Sequence, residues 1–153
     1  MVLVAPLYLI AIQAEHGMLV ENQPAAAAGS NYLLIKSLFF LAEWITYVIL
    51  MVFLTRQLGL GAFFVSYIIV YNWAAVITAA LAVPPFVLYG LGVLGAVPAI
   101  MFSLMVTGLI LYYHWYVALV VLRTRAAIAA GLVTMEFLLS LVFNTAADRL
   151  IGG

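Results

Sequence analysis

Two acidic side chains stand inside long apolar stretches of this sequence, where charge is expensive to bury. Glu43 lies within the apolar run of residues 32–54, and Glu136 lies within the run of residues 126–143. Acids at such positions usually face the interior of a helix bundle and often mark ion or proton paths. If both carboxylates share one apolar site, their repulsion makes at least one of them hold its proton near neutral pH. The chemistry that this pair predicts is proton binding.

Asn72 is the third polar group of this kind, at the centre of the uncharged run of residues 62–83. When the runs are threaded as antiparallel helices, Glu43 and Glu136 both lie about 10 to 12 Å from the same end of their helices. Asn72 lies about one helical turn deeper. We therefore expect Glu43, Asn72 and Glu136 to converge in one intramembrane polar cluster.

A structural role is the alternative for both glutamates. Each would then be protonated, or paired with a hydroxyl, an amide or an interfacial arginine, and would only fix the register of its helix. The hydroxyl groups that qualify as partners belong to Thr46, Tyr47, Tyr71 and Thr134.

The sequence predicts neither a catalytic site nor a metal or cofactor site. It has no cysteine and only two histidines, and it contains no HExxH, GxSxG or glycine-rich phosphate-binding motif. His114 falls in the aromatic run from Tyr112 to Tyr116, which is typical of an interfacial aromatic belt in which the histidine is half solvated. A haem or metal site would need a second histidine, and His16 is placed on the far side by the threading. We therefore expect a protein that is not an enzyme.

Composition places the chain in a membrane. Of its 153 residues, 69% are hydrophobic and 7% are charged, and the mean hydropathy is +1.31. A soluble domain of this size needs a far more highly charged surface. The formal net charge is zero and no basic run occurs, so nucleic-acid binding has no support. The expected partner is the lipid bilayer.

The fold class predicted from the apolar runs is all-α, a polytopic transmembrane helical bundle. It has four spans, over residues 32–54, 62–83, 91–122 and 126–143. Pro84 and Pro85 end the second span, so the chain is expected to turn over residues 84–90. The third run is longer than one crossing needs, and it either protrudes from the bilayer or breaks at Pro98.

The N-terminal part of the chain is expected to differ from the rest. Residues 1–30 read as an interfacial or partially inserted segment followed by a polar linker, because the apolar run at residues 1–12 is too short to span. Residues 31–153 form the transmembrane bundle.

Basic residues predict the orientation of the four spans. Arg56, Arg123 and Arg125 share one side of the threading, whereas Lys36 and Arg149 lie toward the other side. By the positive-inside rule, the three arginines face the cytoplasm.

One helix face carries small residues at every fourth position of the third run. They form a predicted helix-packing ridge, made of Gly95, Ala99, Ser103 and Thr107. Such ridges allow close approach of helices in a membrane. The ridge predicts packing against the second span or association with a second copy or another membrane protein.

The triplet Tyr71-Asn72-Trp73, together with the stretch from Trp115 through Arg123 and Ala126-Ala127 to Leu139, resembles bacterial membrane proteins related to the Yip (Ypt-interacting protein) domain. The resemblance covers the four spans and implies a small multi-pass bundle with an alanine-rich last helix. The chain departs from that pattern, since the family usually has five spans and a long polar N-terminal domain. No catalytic residue is carried over.

Two functions follow from these observations. The first is a non-enzymatic scaffold or organising protein of Yip-like type in a bacterial inner membrane, which associates through its small-residue faces. The alternative is a small transporter or a subunit of a proton-coupled permease that uses the intramembrane carboxylates.

Overall fold

The computed structural model of the chain describes residues 32–152, and this part is helical. Its four long helices are α1 (Tyr32–Gln57), α2 (Phe64–Gly90), α3 (Ala96–Val121) and α4 (Ala126–Gly152). A short 3₁₀ helix, Gly61–Phe63, precedes α2. The predicted N-terminal segment, residues 1–30, lies outside the described residues.

All four helices are long and apolar enough to cross a membrane, with spans of 24 to 30 residues. At 1.5 Å per residue these lengths correspond to about 36 to 45 Å, compared with a hydrocarbon core of about 30 Å. The described residues therefore carry the helices of a multi-pass membrane protein, as the composition predicts.

The helix α2 continues through Pro84 and Pro85 and ends at Gly90, so the predicted turn over residues 84–90 is wrong. A proline removes one N–H group from the helix and crowds the carbonyl four residues before it. The carbonyls that lose their usual donors here belong to Ala80 and Leu81. Transmembrane helices tolerate this loss, because neighbouring groups and small backbone adjustments satisfy the carbonyls that are freed.

Pro98 does not break the third helix. The helix α3 starts at Ala96, and the Gly95 carbonyl accepts the first helical hydrogen bond, from the Ala99 N–H at 3.1 Å. Pro98 thus lies in the first turn, where an N–H has no helical partner and its absence costs little. The helix α4 runs beyond residue 143 to Gly152, because the end of an apolar stretch does not oblige a helix to end.

The chain divides into two compact units, which are described separately. One contains residues 32–71 and 113–152 and is called the α1–α4 unit; the other is Asn72–Tyr112. Within the α1–α4 unit, α1 and α4 pack against each other.

Contacts at both ends of the α1–α4 unit fix its helix directions. Lys36 near the start of α1 forms an ion pair with Asp148 near the end of α4, at 2.8 Å between Nζ and Oδ1. At the opposite end, the guanidinium of Arg123 lies over the ring of Phe63, 5.4 Å from its centroid. The two helices are therefore antiparallel. The ends are called the Lys36–Asp148 end and the arginine end.

Gly59 ends α1 in a conformation that disfavours other residues. Its φ is +71°, and the Leu60 N–H donates to the Thr55 carbonyl at 2.7 Å while the Gly59 N–H donates to the Arg56 carbonyl at 3.2 Å. These two bonds form a Schellman motif, which satisfies carbonyls left open at the helix end.

Replacing Gly59 with alanine is expected to destabilise the protein by about 1 to 2 kcal/mol, because a Cβ is disfavoured at positive φ. Gly131, inside α4, is the matched control, since a Cβ has no neighbour within 4 Å at either glycine. The Gly131→Ala variant should be neutral or stabilising by up to about 1 kcal/mol. Unfolding in detergent, followed by tryptophan fluorescence, measures both changes. Equal effects of the two substitutions would contradict the assigned backbone conformation.

Candidate functional site

The Glu136 carboxyl lies inside the α1–α4 unit and makes two hydrogen bonds through one oxygen. The Tyr71 hydroxyl of α2 donates to Oε1 at 2.7 Å, and Nδ1 of His114 on α3 lies 2.8 Å from the same oxygen. The side chain of Glu136 is 16% exposed and that of His114 is 8% exposed. Three helices thus meet at one carboxyl oxygen.

His114 points into the protein, so its expected half-solvated position in an aromatic belt is wrong. Its neighbours Tyr112 and Tyr116 are largely exposed and do fit such a belt. Successive residues of a helix point about 100° apart, and His114 consequently faces inward while residues two positions away face outward. Its ring also lies against the Tyr71 ring, with 5.2 Å between the centroids.

Two buried polar atoms of the pair have no hydrogen-bond partner among the described residues. They are Nε2 of His114 and Oε2 of Glu136. A buried polar atom without a partner costs about 1 to 3 kcal/mol, so such atoms are rare and call for an explanation.

The 2.8 Å contact between Nδ1 of His114 and Oε1 of Glu136 requires a proton on one of these two atoms. When it resides on Nδ1, the carboxylate accepts hydrogen bonds from both His114 and Tyr71. When it resides on Oε1, the carboxyl donates to a bare Nδ1 and Nε2 then carries the histidine N–H. The pair can therefore hold one or two protons in the same heavy-atom arrangement.

Two further tyrosines line the same region. The hydroxyls of Tyr47 on α1 and Tyr67 on α2 are 2.7 Å apart, and both side chains are buried. The Tyr47 ring stacks on the Tyr71 ring at 4.8 Å. The stack connects α1 to the helices that hold Glu136.

Glu43 lies half-buried on α1 and faces α4. The Ser140 hydroxyl is its polar neighbour on α4, and Glu136 is near enough for electrostatic interaction. The hydrogen bonds at Glu136 involve Tyr71 and His114.

Asn72 and Thr134 are two of the remaining predicted polar groups. Asn72 is the first residue of the Asn72–Tyr112 unit and is half-buried. The Thr134 hydroxyl donates to the Ala130 carbonyl of its own helix at 2.8 Å. Of the predicted hydroxyl partners, Tyr71 bonds directly to Glu136, and Tyr47 reaches the site through its ring.

The small-residue ridge lies in the Asn72–Tyr112 unit. Ala99 and Ser103 line a cleft of about 350 Å³, while the Thr107 hydroxyl donates to the Ser103 carbonyl at 2.9 Å. Gly95 is exposed, and a Cβ added there would meet only Pro98, at 3.8 Å. Within the described residues, Gly95 is exposed, whereas Ala99, Ser103 and Thr107 are half-buried.

Metal-ligating residues do not cluster in residues 32–152: no three His, Asp or Glu side chains there are arranged to hold a metal ion. The arrangement around Glu136 offers acid–base chemistry through a carboxyl, an imidazole and a phenol.

The Tyr71→Phe substitution is expected to lower the free energy of unfolding by about 1 to 3 kcal/mol, because it removes one donor from the buried Glu136 carboxyl. Tyr116→Phe is the matched control, since it removes a hydroxyl from an exposed ring. Unfolding in detergent compares the two variants. In a Glu136→Gln background, the change in unfolding free energy caused by Tyr71→Phe should differ by roughly 0.5 kcal/mol or more from its value in the native chain, because residues in contact have non-additive effects. Strict additivity would contradict the hydrogen bond.

Comparisons with protein-family models, curated proteins and solved structures found no match to this chain. The resemblance to the Yip domain stays a prediction, and the function must be argued from the site itself.

Proposed function

We propose that this chain is a small proton-coupled transporter, or the proton-binding subunit of a permease, in which Glu136 and His114 bind the coupling proton. The observation that carries the proposal is the 2.8 Å contact between Nδ1 of His114 and Oε1 of Glu136, within helices apolar enough to span a membrane. Ionisable groups at such depth commonly serve proton relays.

The unpartnered atoms of the pair favour this function over a purely structural one. A polar contact that served only to fix the helices would be most stable with every buried donor and acceptor paired. Here His114 Nε2 and Glu136 Oε2 are both buried without a partner among the described residues. A site that gains and loses a proton needs a donor or acceptor position that is unoccupied in one of its protonation states.

Each neighbour has a distinct role in the proposal. Tyr71 orients the carboxyl by donating to Oε1. Glu43 places a second acid in electrostatic range of Glu136. The pair Tyr47 and Tyr67 holds the Tyr71 ring in place through stacking and a phenol–phenol hydrogen bond.

The proposed location is a bacterial inner membrane, with the arginine end in the cytoplasm. Arg56, Arg123 and Arg125 are all exposed there. At the opposite end lie two basic residues, Lys36, which pairs with Asp148, and the exposed Arg149. The excess of three basic residues over two at the arginine end follows the positive-inside rule.

Proton flux into liposomes tests the proposal. The full chain is reconstituted with a pH-sensitive dye inside the vesicles, and a potassium diffusion potential, negative inside, drives proton entry. The native chain should acidify the interior, and Glu136→Gln should reduce the rate to that of protein-free vesicles. Thr134→Val is the control, because it removes an exposed hydroxyl from the same helix. Native flux in the Glu136→Gln variant would refute the proposal.

A scaffold of Yip-like type is the second candidate, favoured by the small-residue ridge in the Asn72–Tyr112 unit. Small residues at Gly95, Ala99 and Ser103 suit close contact with another membrane helix. On that account Ala99→Leu and Ser103→Leu abolish self-association in crosslinking experiments, and the native chain moves no protons. Proton flux that depends on Glu136 decides in favour of the transporter.

A further inference from the structure

We infer that Glu136 is reached by protons from the Lys36–Asp148 end of the α1–α4 unit, along a polar stripe on α4, and is closed off from the arginine end. The inference rests on the proposed function and adds the side from which the proton arrives.

The polar stripe consists of four residues spaced four apart on α4: Glu136, Ser140, Asn144 and Asp148. Each step rises about 6 Å and turns about 40° around the helix, so the stripe winds over about 18 Å. Exposure increases along it, from the half-buried Glu136 and Ser140 to the exposed Asn144 and Asp148. The Asn144 amide donates to the Ser140 carbonyl at 2.9 Å and to its hydroxyl at 3.3 Å.

The helix α1 faces the stripe with polar groups in matching register. Lys36 pairs with Asp148, and Glu43 faces Ser140. Between these two contacts the chain advances seven residues along α1 and goes back eight along α4, as expected for antiparallel neighbours. The polar groups from Asp148 to Glu136 therefore follow one side of α4, beside the Phe39–Phe143 ring contact between α1 and α4.

The ion pair stands where this line meets the end of the unit. The Lys36 side chain is 5% exposed, whereas that of Asp148 is 63% exposed. A buried ammonium is stable only when its charge is compensated. The ion pair thus places the charged, exposed carboxylate of Asp148 at the start of the proposed proton path.

The arginine half of the unit is packed with apolar side chains. Met51, Ala118 and Leu122 have no exposed surface. The Thr55 hydroxyl beside them is buried and donates to the Met51 carbonyl at 2.6 Å, and the buried Tyr47 and Tyr67 hydroxyls near Glu136 bond to each other at 2.7 Å. Because protons need polar groups or water to move, these fully buried apolar side chains block passage beyond the tyrosine pair.

Cysteine accessibility tests the path, since the chain has no natural cysteine. Ser140→Cys and Asn144→Cys are made in the full chain and exposed to a membrane-impermeant cationic thiosulfonate in sealed vesicles of both orientations. Leu141→Cys and Val142→Cys are the controls, because these exposed positions lie at the same depth but off the stripe. A thiol reacts as its thiolate, which does not form in hydrocarbon.

We expect both stripe variants to react on the order of tenfold or more faster than the controls, and only from the Lys36–Asp148 end, because only a hydrated thiol ionises. Equal rates at stripe and control positions, or reaction from the arginine end, overturn the inference. Proton flux separates it from the proposed function. If the stripe cysteines do not react but proton flux depends on Glu136, the path is wrong and the proposed function stands. If the stripe cysteines react but the Glu136→Gln variant has native flux, the proposed function is wrong and the path stands.

Discussion

The α1–α4 unit is organised around the need to keep the Glu136 carboxyl in an apolar environment. Removing a carboxyl from water costs several kcal/mol, roughly, unless hydrogen bonds replace the lost hydration. Tyr71 and His114 supply those bonds from two different helices. The position of one carboxyl therefore fixes how α2, α3 and α4 meet in this unit. The Tyr47 ring, stacked on Tyr71, adds α1 to the same contact.

The same unit has opposite character on its two sides of Glu136. Toward Asp148 the α1–α4 contact carries polar groups that culminate in an ion pair. Toward the arginine end it carries fully buried apolar side chains such as Met51 and Leu122. Coupled transport by alternating access requires two states. In one state the proton-binding group is reached from one side of the membrane, and in the second state the closed side opens. In the proposed transporter, the present packing is one of these two states.

Much of the fold could be predicted from the sequence, because the four apolar runs are long and each contains at most two charged residues. The helix ends could not, since the continuation through Pro84 and Pro85 depends on surroundings and not on proline chemistry alone. Glu136 and Tyr71 were predicted as candidates by depth and hydrogen-bonding capacity. His114 was missed as a partner, because its aromatic neighbours suggested an interface. His114 lies at a depth on α3 that is comparable to the depth of Glu136 on α4. This match in depth could have identified His114 as a partner of Glu136.

The central claim is that one proton is held between His114 and Glu136, and nitrogen NMR of the histidine ring tests it most directly. In a His16→Gln background His114 is the only histidine, so its two ring nitrogens can be observed in lipid without overlap. The account predicts a hydrogen-bonded Nδ1 signal that shifts in the Glu136→Gln variant and stays unchanged in the Thr134→Val control. Identical His114 spectra with and without the Glu136 carboxyl would contradict it.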